Sequence, residues 1–94
     1  PGASNNLINT HERPVADLKL YPNPFSAQLY VHAANLEKPY QLTLHNMLGQ
    51  VVYKSEQQWQ ERAVIQRGAL PAGLYTLLLQ DAGGRRFGGM VVAE

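Results

Sequence analysis

The sequence predicts an all-β chain, folded as a two-sheet sandwich of seven short antiparallel strands. Three observations lead there. Apolar and polar residues alternate at period two, turn formers interrupt them roughly every ten residues, and no stretch carries a helical period. Ninety-four residues suit one small domain, and an apolar fraction of 45% is that of an ordinary globular chain. A chain this short buries a smaller share of its surface than a larger protein, so its stability margin is expected to be modest.

Residues 1–17 hold Gly2, Ser4, Asn5, Asn6, Asn9, Thr10 and two prolines without a sustained period. They read as a flexible linker, with the domain running from residue 18 to residue 94. Leu18 to Tyr21 is the first strand, ended by Pro22 and Pro24, because proline cannot donate to a ladder. In Gln28 to Ala33, residues Leu29, Val31 and Ala33 share one face and Gln28, Tyr30 and His32 the other, as a half-buried strand requires. Asn35 to Pro39 is a loop, and Gln41 to His45 alternates again with Leu42 and Leu44 inward.

Asn46 to Gly49 suits a tight hairpin, since Gly49 can take a positive φ without a Cβ penalty. Val51 to Ser55 is the return strand. Gln57 to Glu61 is polar and irregular, with Trp59 expected to cap one end of the core. Ala63 to Gln66 is a short strand, and Gly68 to Gly73 a loop whose Leu70 plugs the core. Gly73 to Gln80 has leucine on both faces, which points to a central strand. Asp81 to Gly84 turns the chain, Arg85 to Phe87 returns, and Met90 to Ala93 closes it. Between them Gly88-Gly89 is expected to bulge or kink the strand.

Little here suggests chemistry. There is no cysteine, hence no disulfide and no thiolate metal site. Net charge is +1 and the basic residues are scattered, which argues against a nucleic-acid surface. No apolar run approaches the roughly 18 residues of a membrane span. No signal-peptide pattern opens the sequence, so an export signal would lie upstream in a longer precursor or within the domain itself. His11, His32 and His45 are far apart and lack a third ligand, so they read as ordinary histidines rather than a metal site. Ser4, Ser26 and Ser55 have no nucleophile motif; Ser26 is expected to bond the backbone of its own turn. Glu56, Glu61 and Asp81 read as solvated loop charges. No catalytic, cofactor-binding or metal-binding residue is expected, no cofactor, and no enzymatic activity. Tyr30 and Tyr40 could form a ligand platform, but they read better as rings covering the core's edges with their hydroxyls wet. Tyr75 is expected to pack inward and fix a corner.

Tyr21-Pro22-Asn23-Pro24, Asn46-Met47-Leu48-Gly49-Gln50-Val51-Val52, Leu70-Pro71-Ala72-Gly73-Leu74-Tyr75 and the final Met90-Val91-Val92 occur in that order. Together they resemble the C-terminal sorting domain of the type IX (Por) secretion system of Bacteroidetes. The resemblance covers about residues 18–94, and its signal lies in the order of the motifs. It implies a seven-stranded immunoglobulin-like sandwich that carries an upstream cargo from the periplasm across the outer membrane to the cell surface. The implied partners are an outer-membrane translocon and a sortase-like peptidase, with neither nucleic-acid binding nor direct membrane insertion. Pro22, Asn23, Pro24, Gly49, Gly73 and Tyr75 would then be shape determinants, and Met90, Val91, Val92, Ala93 and Glu94 the recognised tail.

Strand addition to that tail offers a mechanism, with Gly88-Gly89 bending it away from the sheet. Deletion of Met90 to Glu94 is then expected to leave a folded domain that is not exported. Cleavage, where it occurs, is expected in the Ala3 to Asn9 region. The sequence departs from the family's habit in placing its basic pair at Arg85-Arg86, ahead of the last apolar run, and an acidic Glu94 after it. The rival reading is an adhesion or carbohydrate-binding sandwich of a surface protein. Self-association through an edge strand is a third.

Overall fold

The computed structural model describes residues 17–94. They form seven strands: β1 (Asp17–Tyr21), β2 (Gln28–Ala34), β3 (Gln41–His45), β4 (Val51–Lys54), β5 (Arg62–Gln66), β6 (Gly73–Gln80) and β7 (Arg86–Ala93). The linker and cleavage expectations lie outside the described residues, save that Asp17 already pairs with Ala34 in β1.

β1-β2-β5 form a three-stranded sheet and β4-β3-β6-β7 a four-stranded one, and every strand pair is antiparallel. The period-two pattern fills the space between the sheets. Leu29, Val31 and Ala33 of β2, with Ala63 and Ile65 of β5, face Leu42 and Leu44 of β3 and Tyr75, Leu77 and Leu79 of β6. β6 lies between β3 and β7, as its leucines on both faces suggest; Leu78, on the outer face, is 40% exposed. Leu70 packs against the core from the loop before β6.

The β3–β4 connection is the expected glycine hairpin. Gly49 sits at φ 81°, and Asn46 stitches the turn by accepting on its Oδ1 from Leu48 N–H and Gln50 N–H, both at 3.0 Å. A register shift follows, with Leu44 opposite Tyr53 but His45 opposite Val51. That leaves Val52 as the extra residue of a bulge.

Four expectations change. Gly88-Gly89 neither bulge nor kink β7: the strand pairs with β6 without a register break from Arg86 to Ala93. The glycines serve close packing instead. A Cβ on Gly89 would lie 2.8 Å from Leu20 Cδ1, and one on Gly88 3.0 Å from Leu78 Cδ2. Trp59 does not cap the core, for its residue is 65% exposed. Tyr40 takes that place. Its backbone bridges Gln58, its ring is fully buried, and its hydroxyl donates to Gln60 O at 2.6 Å, so it is neither at an edge nor wet. Because neighbouring residues of an extended segment face opposite ways, the bonds through Gln58 and Gln60 turn Trp59 outward. Burial, and then the Glu61 charge, raise the Tyr40 pKa.

Asp81 is the fourth change. It is buried rather than solvated, and accepts from Gly83 N–H (3.0 Å), Arg85 N–H (2.9 Å), Glu37 N–H (3.3 Å) and Arg85 Nε (3.0 Å). Burial pushes its carboxyl upward, but the backbone donors of Arg85 and Glu37 and the Arg85 guanidinium outweigh this and hold the pKa below the ordinary value. Arg85 Nη2 also donates to Asn35 O at 2.7 Å, so one carboxylate–guanidinium pair locks the β6–β7 turn to the loop before β3.

Candidate functional site

The first and the last of the sequence motifs are joined in space. Pro22 and Pro24 end β1 and turn the chain outward over the edge of β7, with Asn23 between them facing the tail. Asn23 Nδ2 donates to Met90 O at 3.2 Å, and Asn23 Oδ1 accepts from Val92 N–H at 3.0 Å. One residue past the turn, Phe25 N–H donates to Val92 O, and Phe25 O accepts from Glu94 N–H, each at 2.9 Å. Phe25 therefore pairs with Ala93 in parallel, and its ring is fully buried. Asn23 acts as a surrogate strand, its amide supplying one donor and one acceptor as a peptide group would.

Arg67 secures the far side of this strap. Its Nη1 donates to Ser26 O at 3.1 Å and its Nε to Leu70 O at 2.8 Å, with the guanidinium carbon 6.0 Å from the Phe25 ring centroid. The Ser26 carbonyl is thus held from outside its own turn. The same arginine links the strap to the Leu70–Tyr75 corner. There Gly73 adopts φ 154° and Tyr75 faces inward with its hydroxyl donating to Pro71 O. The shape residues of two motifs thus brace a third, the tail.

The tail has two faces. Val91 and Ala93 are core residues, at 0% and 2% exposure. Met90 and Val92 point outward, at 56% and 38%, and Glu94 is exposed. On the outer face Leu74 lies opposite Val92, Thr76 opposite Met90 and Leu78 opposite Gly88. An apolar strip therefore runs across β6 and β7. Beside it an open cleft of about 330 Å³ separates the hairpin tip, with the exposed Met47 and Leu48, from Pro71, Ala72 and Leu74 of the corner. The segments carrying Gly49, Gly73 and Val92 thus meet on one side of the domain.

This geometry overturns the expectation of a tail open to strand addition. It does not bend away from the sheet, and its outer-edge backbone groups from Met90 O to Glu94 N are already taken by Asn23 and Phe25. Removing residues 90–94 would also withdraw Val91 and Ala93 from the core, so the deletion is expected to lower stability as well as export.

Among the described residues no cluster of three or more His, Cys, Asp or Glu side chains could hold a metal ion. His32 Nε2 lies 3.8 Å from Glu61, and His45 Nε2 3.1 Å from Thr43 Oγ1. Ser55 is buried, accepting from Leu42 N–H at 2.9 Å and donating to Glu56 O at 2.8 Å, which is a structural role. The half-buried Tyr30 ring has a neighbour on each side. Tyr21 stacks on one side, with centroids 5.5 Å apart, and Arg62 lies over the ring at 5.1 Å from the strand on the other side. His11, Ser4, Glu12 and their neighbours fall outside the described residues.

Sequence reading missed the Asn23 clamp and the Asp81–Arg85 lock. The first left no local signal, since its partners are 67 and 69 residues away. The second did: an aspartate opening a Gly-Gly turn with arginine four residues later is an Asx-turn pattern.

Residues 19–92 match the family described as the secretion system C-terminal sorting domain. No curated protein sequence matches the chain. Among solved structures, a DUF3244 family protein with an immunoglobulin-like β-sandwich fold from Bacteroides vulgatus is similar. Its TM-score is 0.68 at 18% identity, over 82% of this chain and 83% of that one. PorZ, an essential bacterial surface component of the type IX secretion system of Porphyromonas gingivalis, gives a TM-score of 0.69 at 11% identity. That match covers 82% of this chain and 11% of PorZ. At these identities the structures speak for the fold alone, an immunoglobulin-like sandwich. With most of its length matched, the chain belongs to the family of type IX secretion C-terminal sorting domains.

Proposed function

We propose that this domain is a non-catalytic address that directs a covalently joined cargo from the periplasm across the outer membrane to attachment at the cell surface. Its partners are the outer-membrane translocon and the sortase-like peptidase of the secretion system. Family membership supports the sorting role. The structural observation that carries the reading is the clamp of Asn23 and Phe25 on Met90, Val92 and Glu94. A signal read as a shape must hold that shape before the receptor arrives, because ordering a loose tail on contact would cost binding energy. The strap supplies this pre-organisation and presents Met90 and Val92 at a defined position beside Leu74.

The rival, a glycan-binding module, requires a flat aromatic face, and Tyr30 lies between Tyr21 and Arg62. A reporter fused upstream of residues 17–94 in a type IX-competent bacterium tests the proposal. The fusion is expected at the cell surface or in the medium, and the reporter alone in the periplasm. Equal surface display with and without the domain would sink the reading.

A further inference from the structure

The strap covers only part of the β7 edge. Residues along an antiparallel strand direct their N–H and C=O groups alternately to either side. Met90 O, Val92 N–H, Val92 O and Glu94 N–H all point away from β6, toward the strap. By the same alternation Met90 N–H, both backbone groups of Gly88 and those of Arg86 also point away from β6. Among the described residues none of these has a partner. Gly88 is exposed, as an open edge requires, and carries no side chain to obstruct an approaching backbone. The open stretch is bounded by Asn23 at one end and by the Asp81–Arg85 turn at the other.

Native sheets rarely leave such an edge bare, because it templates pairing with another chain. Here the strap closes the edge next to it and stops. The local charge is also one-sided. Arg85 is tied to Asp81, whereas the Arg86 guanidinium has no acidic partner among the described residues.

Building on the sorting reading, we propose that Arg86 to Met90 of β7 is a strand-addition site for a short extended segment of the secretion machinery that carries an acidic side chain opposite Arg86. Backbone pairing would supply affinity, and Arg86 and the outward Met90 side chain the specificity. The tail beyond Met90 is not paired in this complex; the strap keeps it closed.

Proline at an outward-facing position removes an edge donor without removing a bond to β6, and edge strands tolerate it. Export of the reporter fusion is therefore compared for Met90→Pro and Met90→Ala, which lose the same side chain but differ in the N–H. Thermal unfolding checks whether both fold. Should Met90→Pro fail to fold, Arg86→Pro against Arg86→Ala asks the same question at the start of the strand. The proline variant is expected to export about tenfold less than its alanine counterpart, the factor that about 1.4 kcal/mol makes in an equilibrium constant. Arg86→Glu is expected to lower export by a similar factor.

In the free domain the amides of Gly88 and Met90 are expected to exchange with solvent far faster than those of Gly89 and Val91. Equal export of the proline and alanine variants, or protected Gly88 and Met90 amides in the free domain, would overturn the proposal. Wild-type export by Arg86→Glu would overturn its acidic partner. A dimer in light scattering that Met90→Pro abolishes would place a second copy on the edge instead, and overturn it likewise. If the wild-type fusion itself fails to reach the surface, the sorting reading falls rather than the edge assignment.

Discussion

Replacing Asn23 with alanine isolates the clamp from the rest of the fold. The side chain is exposed, so its loss empties no cavity. What disappears are the Met90 O and Val92 N–H bonds, at 3.2 and 3.0 Å. A neutral intramolecular hydrogen bond is worth about 0.5–1.5 kcal/mol net. Both bonds lie at the surface, where water can replace the lost partner, so each belongs at the low end. The expected loss is about 1–2 kcal/mol, or a fall in Tm of roughly 4–16 °C for a domain of this size. Thermal unfolding measures the total, and amide exchange locates it: Val92 N–H should lose protection while Leu77 and Leu79 keep theirs. Asn23→Asp separates the two bonds, since a carboxylate still accepts from Val92 N–H but cannot donate to Met90 O. An Asn23→Ala domain that melts with the wild type and still protects Val92 N–H would refute the clamp.

Three further outcomes follow from the same packing. Val91→Ala should cost about 2–3 kcal/mol in chemical denaturation, two buried methyls plus the space they leave, whereas Val92→Ala on the outer face should cost under about 1 kcal/mol. Deleting residues 90–94 should accordingly lower stability as well as export, which circular dichroism of the truncated domain would reveal. Tyr40→Phe strands the Gln60 carbonyl and is expected to cost about 1 kcal/mol in urea unfolding.

The last outcome concerns pH. The folded Asp81 pKa is depressed below its unfolded value, so its contribution is fully present above the ordinary carboxylate range and is lost as pH falls through the folded value. Stability should therefore decline below about pH 4. Asp81→Asn should cost about 2 kcal/mol at neutral pH and flatten that acid limb, as melting curves across pH would show.

Local pattern carried far in this chain. Alternation at Leu29, Val31 and Ala33, or at Leu42 and Leu44, marks a strand face because successive side chains of an extended backbone point to opposite sides. Asn46 and Gly49 announce their hairpin, and the Pro22–Pro24 pair ends β1, for reasons equally local. Local pattern does not separate Trp59 from Tyr40. Both are aromatic residues near loops, and only the Tyr40–Gln58 bridge decides which ring enters the core. Gly88-Gly89 misled for a related reason: a glycine pair can serve a bend or a close approach, and the choice depends on Leu20 and Leu78 arriving from other strands.

The sequence by itself determined the all-β class, the strand sequence, the main turn and the family, because each is written in short-range periodicity or in the order of motifs. Tertiary structure alone decided what the tail is. Met90 to Glu94 reads in sequence as an accessible, mostly apolar tail. In the fold it is half core and half surface, with its outer edge held by an asparagine near the start of the domain. Whether a backbone group is free or paired depends on which distant segment the chain brings beside it. No local pattern records that, and it moves the open edge of β7 away from the tail to Arg86, Gly88 and the Met90 amide.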